Sequence, residues 1–149
     1  MINPNELMIG NYVTYLYCEE GQEKIHQIKS ISDDGDICLG IITPFGVHAE
    51  DVENIVVDGV GINTITSECD DHDCKGSLIG IVIRLVCIDV CQDFEAKILW
   101  DINYENYEST VRFIYNFIGT GRYSRLSLHQ IQNAFYSIFG VEFKKIKIK

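Results

Sequence analysis

Basic residues are scarce in this 149-residue chain, in which 12 Lys and Arg stand against 22 Asp and Glu, for a net charge of -10. A surface this acidic repels the phosphate backbone of nucleic acids over most of its area. Hydrophobic residues make up 46% and charged residues 23%, which are ordinary values for a globular protein. This composition excludes a disordered tail, a collagen-like repeat and a coiled coil. The length fits one domain or two very small ones.

Long hydrophobic runs are also missing. The most apolar stretch, residues 79–90, is interrupted by Arg84 and Asp89 and is shorter than the roughly 20 residues of a membrane helix. The first six residues lack the basic and apolar regions of a signal peptide. Four of the six cysteines lie in or beside apolar segments, where a thiol acts as a small hydrophobic group (Cys18, Cys38, Cys87 and Cys91). We therefore expect a cytoplasmic protein with free thiols and no membrane contact.

Sequence motifs of catalysis are not found. No G-x-G-x-x-G, Walker A, H-E-x-x-H or G-x-S-x-G pattern occurs, and the four histidines are scattered. His129 falls in the first turn of a predicted helix, where we expect a surface residue rather than a general base. The sequence predicts neither an enzymatic activity nor a cofactor, although a triad assembled from distant residues would be compatible with it.

Short strands dominate the first sixty residues. Residues 12–17 are rich in β-branched and aromatic side chains, and two more strands are predicted over residues 25–31 and 37–42. Residues 33–36, Asp-Asp-Gly-Asp, predict a hairpin turn because glycine readily adopts the positive φ that such turns need. We therefore predict a small SH3-like β-barrel over residues 1–60.

Residues 61–149 are predicted to carry antiparallel strands and one C-terminal helix, as a second unit or in one continuous domain, which gives an α+β fold. Strands are expected over residues 77–90 and 94–102, and a loop over residues 58–76. Residues 110–118 fit both an alternating strand and a helical stripe, and their β-branched and aromatic content favours a strand.

The C-terminal helix has the clearest pattern. Ser127 and Gln130 form a capping box, and Gly140 supplies the stop. An apolar stripe at helical spacing follows the cap (Leu128, Ile131, Phe135, Ile138 and Phe139). The amides of Gln130, Gln132 and Asn133 are candidates to bind a neighbouring strand or a partner. The intramolecular role is favoured, because side-chain hydrogen bonds go mostly to backbone or water.

Charge is unevenly divided along the chain. Residues 1–110 hold 5 basic and 21 acidic residues, whereas residues 111–149 hold 7 and 1. The basic segment either neutralises the acidic part or forms a patch for an anionic partner. Arg122, Tyr123 and Arg125 combine cations with an aromatic ring, as single-strand binders do, or form a simple loop before the helix. The tail alternates Lys with Ile, as a lysine-guarded edge strand would.

One segment resembles a metal site. Cys69, His72 and Cys74 could supply three zinc ligands, with the fourth from Cys87 or Cys91. An extended strand would hold that last pair roughly 13 Å apart, too far for a single ion. The alternative is an acidic surface loop that carries cysteines, and we predict no metal.

The two ends of the chain resemble a known group of sequences. Residues 5–13, NELMIGNYV, are similar to an ELRIGN-aromatic-V opening. Residues 128–136, LHQIQNAFY, and 140–143, GVEF, resemble a closing LHQLQN segment followed by TG-x-E-[LF]. Both patterns occur in small uncharacterised proteins of Bacteroides-type genomes and their phages. The resemblance implies a mobile-element origin and a barrel-plus-helix layout, and carries no activity.

The leading hypothesis is a non-enzymatic module that binds a protein. Two alternatives remain. In the first, the basic C-terminal segment binds nucleic acid, or the acidic body imitates DNA; in the second, the chain is a small metal-binding protein.

Overall fold

A computed structural model of the chain describes residues 4–17, 24–39, 46–66, 78–99, 104–118 and 126–146. It confirms an α+β fold with antiparallel sheets and shows two helices rather than one. The strands are β1 (Tyr12–Tyr15), β2 (Ile25–Gln27), β3 (Ser30–Ile31), β4 (Ile37–Cys38), β5 (Val52–Glu53), β6 (Gly59–Thr66), β7 (Leu78–Cys87), β8 (Gln92–Leu99) and β9 (Lys144–Lys145). The helices are α1 (Tyr104–Ile118) and α2 (Leu128–Phe139).

The N-terminal strands form two small sheets, one in the order β2-β1-β5 and one pairing β3 with β4. The predicted Asp33–Asp36 hairpin turn is confirmed: Gly35 has φ +87°, and its N–H donates to Ser32 O. Within the described residues these strands do not close into a barrel, so the SH3-like barrel is not confirmed.

The second half is built on a four-stranded antiparallel sheet in the order β6-β7-β8-β9. Alternate residues of β7 and β8 are buried, so one face of this sheet covers a hydrophobic core. The predicted lysine edge strand is present, with Lys144 opposite Glu95 and Lys145 opposite Phe94. The loop predicted over residues 58–76 is wrong for β6, whose eight residues pair along β7.

The strand predicted over residues 110–118 is also wrong, because these residues belong to α1. Ile114 and Ile118 of that helix are buried four residues apart, which is the helical period. Phe113, which the alternating pattern placed inside, is partly exposed. Packing of a helical stripe onto the sheet therefore outweighed the strand preference of the β-branched and aromatic residues.

Buried side chains form two hydrophobic cores. The larger core comprises Tyr12, Ile25, Ile55, Val57, Ile81, Ile83, Leu85, Cys87, Phe94, Ala96, Ile98, Ile114, Ile118, Leu128, Ile131, Phe135 and Phe143. The smaller core comprises Leu7, Val13, Ile28, Ile37, Leu39, Val47 and Val52. Successive residues of a strand point to opposite faces, so β1 serves both cores, with Tyr12 in the larger one and Val13 in the smaller one.

Candidate binding cleft

An open cleft of about 540 Å³ lies where the N-terminal segment and β2 meet α2 and the residues after it. Its apolar lining residues are Met8, Ile9, Ile31, Tyr136, Val141 and Phe143. Its polar lining residues are Asn11, Gln27, Gln132, Asn133 and Glu142. The volume and the mixture of apolar walls with a few polar groups are typical of ligand-binding clefts.

A tight turn at Gly10 builds the first wall of the cleft. Gly10 has φ +95°, a conformation that glycine adopts without steric cost. Within the turn, the Met8 N–H donates to Asn11 Oδ1 at 2.8 Å and the Asn11 N–H donates to Met8 O at 3.1 Å. The turn carries Met8 and Ile9 outward, and their side chains are 46% and 67% exposed.

Helix α2 builds the opposite wall. The predicted capping box is present, with Gln130 Oε1 accepting from the Ser127 N–H at 2.9 Å. Gly140 ends the helix in the left-handed conformation, as predicted. Most of the predicted apolar stripe faces the larger core, but Ile138 is exposed. Tyr136 lies three residues after Asn133 and four after Gln132, so it shares with both the face that lines the cleft.

Two amides of α2 hold the N-terminal turn against the helix. Gln132 Oε1 accepts from the Tyr12 N–H at 2.9 Å, and its Nε2 donates to Gly10 O at 3.1 Å. Asn133 Oδ1 accepts from Asn11 Nδ2 at 2.7 Å, and its Nδ2 donates to Glu6 O at 2.7 Å. The predicted intramolecular role of the helix amides is confirmed. Of the candidate binding residues, Gln130 therefore caps α2, and Asn133 holds the N-terminal wall of the cleft against the helix.

His129 is buried below this network, so the expectation of a surface histidine is wrong. Its side chain is 2% exposed, and its Nε2 lies 3.3 Å from Glu6 Oε2. The Nδ1 atom is buried with no hydrogen-bond partner. The sequence pattern could not show this, because the contact joins residues 123 positions apart.

The apolar walls of the cleft are exposed to solvent. Tyr136 is 55% exposed, and Ile31 lies partly exposed across the cleft. Single exposed apolar side chains are ordinary, whereas several converging on one concavity are typical of a binding site. Sequence reasoning missed Met8, Ile9 and Tyr136. The one available signal was that Tyr136 stands outside the apolar stripe of its own helix.

A second cleft of about 490 Å³ adjoins the first and shares Tyr136, Val141 and Glu142 with it. Its other lining residues are Gly140 at the end of α2 and four residues on β8 and at the start of β9: Glu95, Ala96, Lys97 and Lys144. The two clefts thus form one groove with an apolar end and a charged end. In the core beside the groove, the pKa of the Tyr12 hydroxyl is raised. Burial is the main cause, the Glu142 carboxylate adds to the rise, and a backbone hydrogen bond with Lys145 opposes it.

The cysteines of the described residues are free thiols (Cys38, Cys87 and Cys91). A short 3-10 turn, Ile88–Val90, separates Cys87 from Cys91, so the expectation of an extended strand between them is wrong. Burial, with the charges of Asp58 and Asp93, raises the pKa of the Cys87 thiol to about 12. A thiol that stays protonated is a poor metal ligand.

The remaining predicted site residues lie outside the described residues: Cys69, His72, Cys74, Arg122, Tyr123 and Arg125. Among the residues that are described, no group of three or more His, Cys, Asp or Glu side chains could hold a metal ion. The same part of the chain has no helix long and apolar enough to cross a membrane.

Fold and cleft together define the class: an α+β protein with antiparallel sheets, two helices and an open groove along the C-terminal helix. Comparison of the chain with protein-family models, with curated proteins and with solved structures finds no match.

Proposed function

We propose that this chain is a non-enzymatic interaction module whose groove binds an extended polypeptide segment with an apolar anchor side chain and a basic residue. The observation that carries the proposal is the combination of exposed apolar walls with polar lining groups that are already hydrogen-bonded within the chain.

The polar groups that line the groove already have hydrogen-bond partners within the chain, and this determines which ligands the groove can bind. Gln132 and Asn133 each use both ends of their amides on the N-terminal segment. Gln27 donates to Gly10 O at 3.0 Å and accepts from Lys29 Nζ at 3.2 Å. A ligand that relied on these amides would have to displace existing hydrogen bonds, and a buried polar group left unpaired is costly. The groove therefore offers mainly apolar contact area.

Shape favours a polypeptide over a small molecule. The groove continues from the apolar end into the second cleft along β8, so an occupant must be extended as well as apolar. In an extended peptide alternate side chains point to the same side, so one of them can enter the apolar end of the groove as the anchor while the peptide runs along the rest.

Charge favours a basic segment. Glu142 is exposed and stands where the two clefts join. The chain as a whole carries a net charge of -10, which attracts a cationic partner and repels an anionic one. The proposal includes a mobile-element origin, which the resemblance at the two chain ends implies, and a cytoplasmic location, which the placement of the cysteines predicts.

Selection from a displayed library of random peptides tests the proposal, followed by calorimetric titration of the selected peptide. Three variants are titrated: Ile9→Glu, Tyr136→Glu and, as the control, Ile88→Glu. Ile88 is 64% exposed on the turn between β7 and β8, outside the lining of the groove. We expect roughly tenfold or greater loss of affinity for the first two variants, about 1.4 kcal/mol or more, and no change for the control. Each of the first two replaces an apolar wall side chain by a carboxylate, which loses its hydration where the apolar anchor of the peptide binds.

Two results would contradict the proposal. One is a selection that yields no peptide whose binding depends on Ile9 and Tyr136. The other comes from a pull-down of lysate components on the immobilised chain. If nuclease abolishes their retention, the chain binds nucleic acid, and Arg122, Tyr123 and Arg125 become the candidate binding residues. A stoichiometric zinc content in denatured protein would support the metal alternative at Cys69, His72 and Cys74 instead.

A further inference from the structure

The two edges of the four-stranded sheet differ in how they are protected. At one edge, β9 is two residues long and both are lysines. Short, charged edge strands prevent a second strand from pairing there. At the other edge, β6 is eight residues long, and its sequence Gly-Val-Gly-Ile-Asn-Thr-Ile-Thr has no charge and no proline.

The outer side of β6 has no paired strand among the described residues. Within the described residues β6 pairs only with β7, and its register shifts only at Ile65/Thr66, near its end. Gly61, Asn63, Thr64 and Thr66 are exposed. An open edge of this length presents a row of backbone N–H and C=O groups ready to pair with another strand.

We propose that the outer edge of β6 pairs antiparallel with β6 of a second copy of this chain, giving a two-fold dimer with a continuous sheet. The proposal does not depend on the groove, which lies at the β8 and β9 side of the sheet.

The geometry of such a pair suits this strand. A two-fold axis perpendicular to the sheet places the core-facing sides of both sheets on the same side. Val60 and Ile62, which are only partly buried against the larger core, then come beside the same row of the partner copy. The axis lies between the two copies of β6, and each copy contributes the same surface, so the contact closes at two copies and does not grow into a fibre.

Charge points to a second copy rather than a charged partner strand. In a chain with 34 charged residues, none falls within β6, so two copies meet there without like charges in contact. Dimer formation is still opposed by the electrostatic repulsion between two chains that each carry a net charge of -10, and salt screens this repulsion. We therefore expect the dimer to tighten as ionic strength rises.

Sedimentation velocity of the full chain over a wide concentration range tests the dimer. Asn63→Lys and Gly61→Lys are the interface variants; a Cβ at Gly61 meets no atom within 4 Å, so the monomer has room for the new side chain. Ile88→Lys is the matched control. All three reduce the negative net charge by one, so a weaker dimer in the first two cannot come from overall charge.

The expected result is a concentration-dependent species of twice the chain mass, weakened about tenfold or more by the two interface variants and unchanged in the control. Urea midpoints equal to that of the unmodified chain at low concentration show that the variants fold. A chain that stays monomeric at low and high salt overturns the proposal. A dimer that survives both interface variants, or assembly beyond two copies, overturns it as well.

Discussion

The two hydrophobic cores are built in different ways. The larger core lies under strands of eight to ten residues and two helices. The smaller core is enclosed by strands of two to four residues that are joined by turns. Phe135 shows the first arrangement, packing edge-on against Phe117 and Phe143 from a helix over the sheet. Long strands and helices fix the surroundings of a buried side chain from several directions. Short strands leave those surroundings freer to adjust when a buried side chain is made smaller.

Two links between the cores lie within the described residues. Strand β1 contributes to both, and Gln132 accepts from its Tyr12 N–H. The second link is the chain itself, which passes from Val52 in the smaller core to Ile55 in the larger one. This segment is held at the start of α2, where the Leu128 N–H donates to Ile55 O at 2.8 Å and Asn54 Nδ2 donates to Ser127 Oγ at 2.7 Å. The groove lies at the first of these links, so the shape of the binding surface depends on the contact between the cores.

The largest expected effect compares one substitution in each core, Ile83→Ala and Ile28→Ala. Both side chains are 0% exposed. Removing such a side chain costs about 2–5 kcal/mol, and more where the surroundings cannot collapse. Ile83 lies in the middle of β7, paired on both sides, and Ile28 lies between two short strands. We therefore expect Ile83→Ala to reduce the free energy of unfolding by about 1 kcal/mol more than Ile28→Ala.

Chemical denaturation of both variants, followed by far-UV circular dichroism, measures this difference. Ile138→Ala is the control, because Ile138 is 53% exposed and its truncation should change stability by less than about 0.5 kcal/mol. Equal costs at Ile83 and Ile28 would show that the smaller core is as rigid as the larger one.

Much of the fold could be predicted where the local pattern was unambiguous. The apolar run of β7, the alternation along β8, the capping box at Ser127 and the Gly35 turn are each encoded by residues a few positions apart. Strand β6 was missed because its glycines and polar residues are typical of loops, and only its pairing with the apolar β7 makes it a strand.

The groove could be predicted only in part. The amides of α2 were identified as candidates, but their partners lie at Glu6, Gly10, Asn11 and Tyr12, more than 110 residues earlier in the chain. Contacts between residues this far apart in the chain leave no local pattern in the sequence. For the same reason His129, buried by such a contact, was expected at the surface.

A smaller effect is expected from breaking the link between the cores with Gln132→Leu. The substitution keeps the size of the side chain and removes the acceptor of the Tyr12 N–H, a contact buried in the structure. Leaving a buried N–H unpaired costs about 1–3 kcal/mol. Tyr136→Leu, one turn further along α2, is the control and should change stability by less than about 0.5 kcal/mol, since Tyr136 is exposed.

Hydrogen exchange adds the comparison between the cores. If Gln132 joins them, Gln132→Leu should speed exchange at the amides of β1 and β2 more than at those of β7 and β8. A uniform loss of protection over all four strands would show that the two cores unfold as one unit regardless of this contact.

The smallest effect at neutral pH concerns Cys87, which belongs to the larger core at the end of β7. Its pKa is raised to about 12 in the folded chain, so the folded state holds its proton where the unfolded state has already lost it. This contribution to stability is complete below about pH 8.5 and is lost as the pH rises toward 12. The unfolding free energy should therefore fall over that range, and by less in Cys87→Ala.

The same shift predicts the chemistry of the two thiols beside the β7–β8 turn. Against an unshifted thiol, a pKa near 12 lowers the thiolate fraction at pH 8 on the order of a thousandfold. Alkylation of the folded chain, resolved by peptide mass spectrometry, should label the exposed Cys91 and spare Cys87. In denaturant both should react at similar rates. Equal labelling of Cys87 and Cys91 in the folded chain would mean that the end of β7 opens readily. The least stable part of the larger core would then be this turn and not its contact with the smaller core.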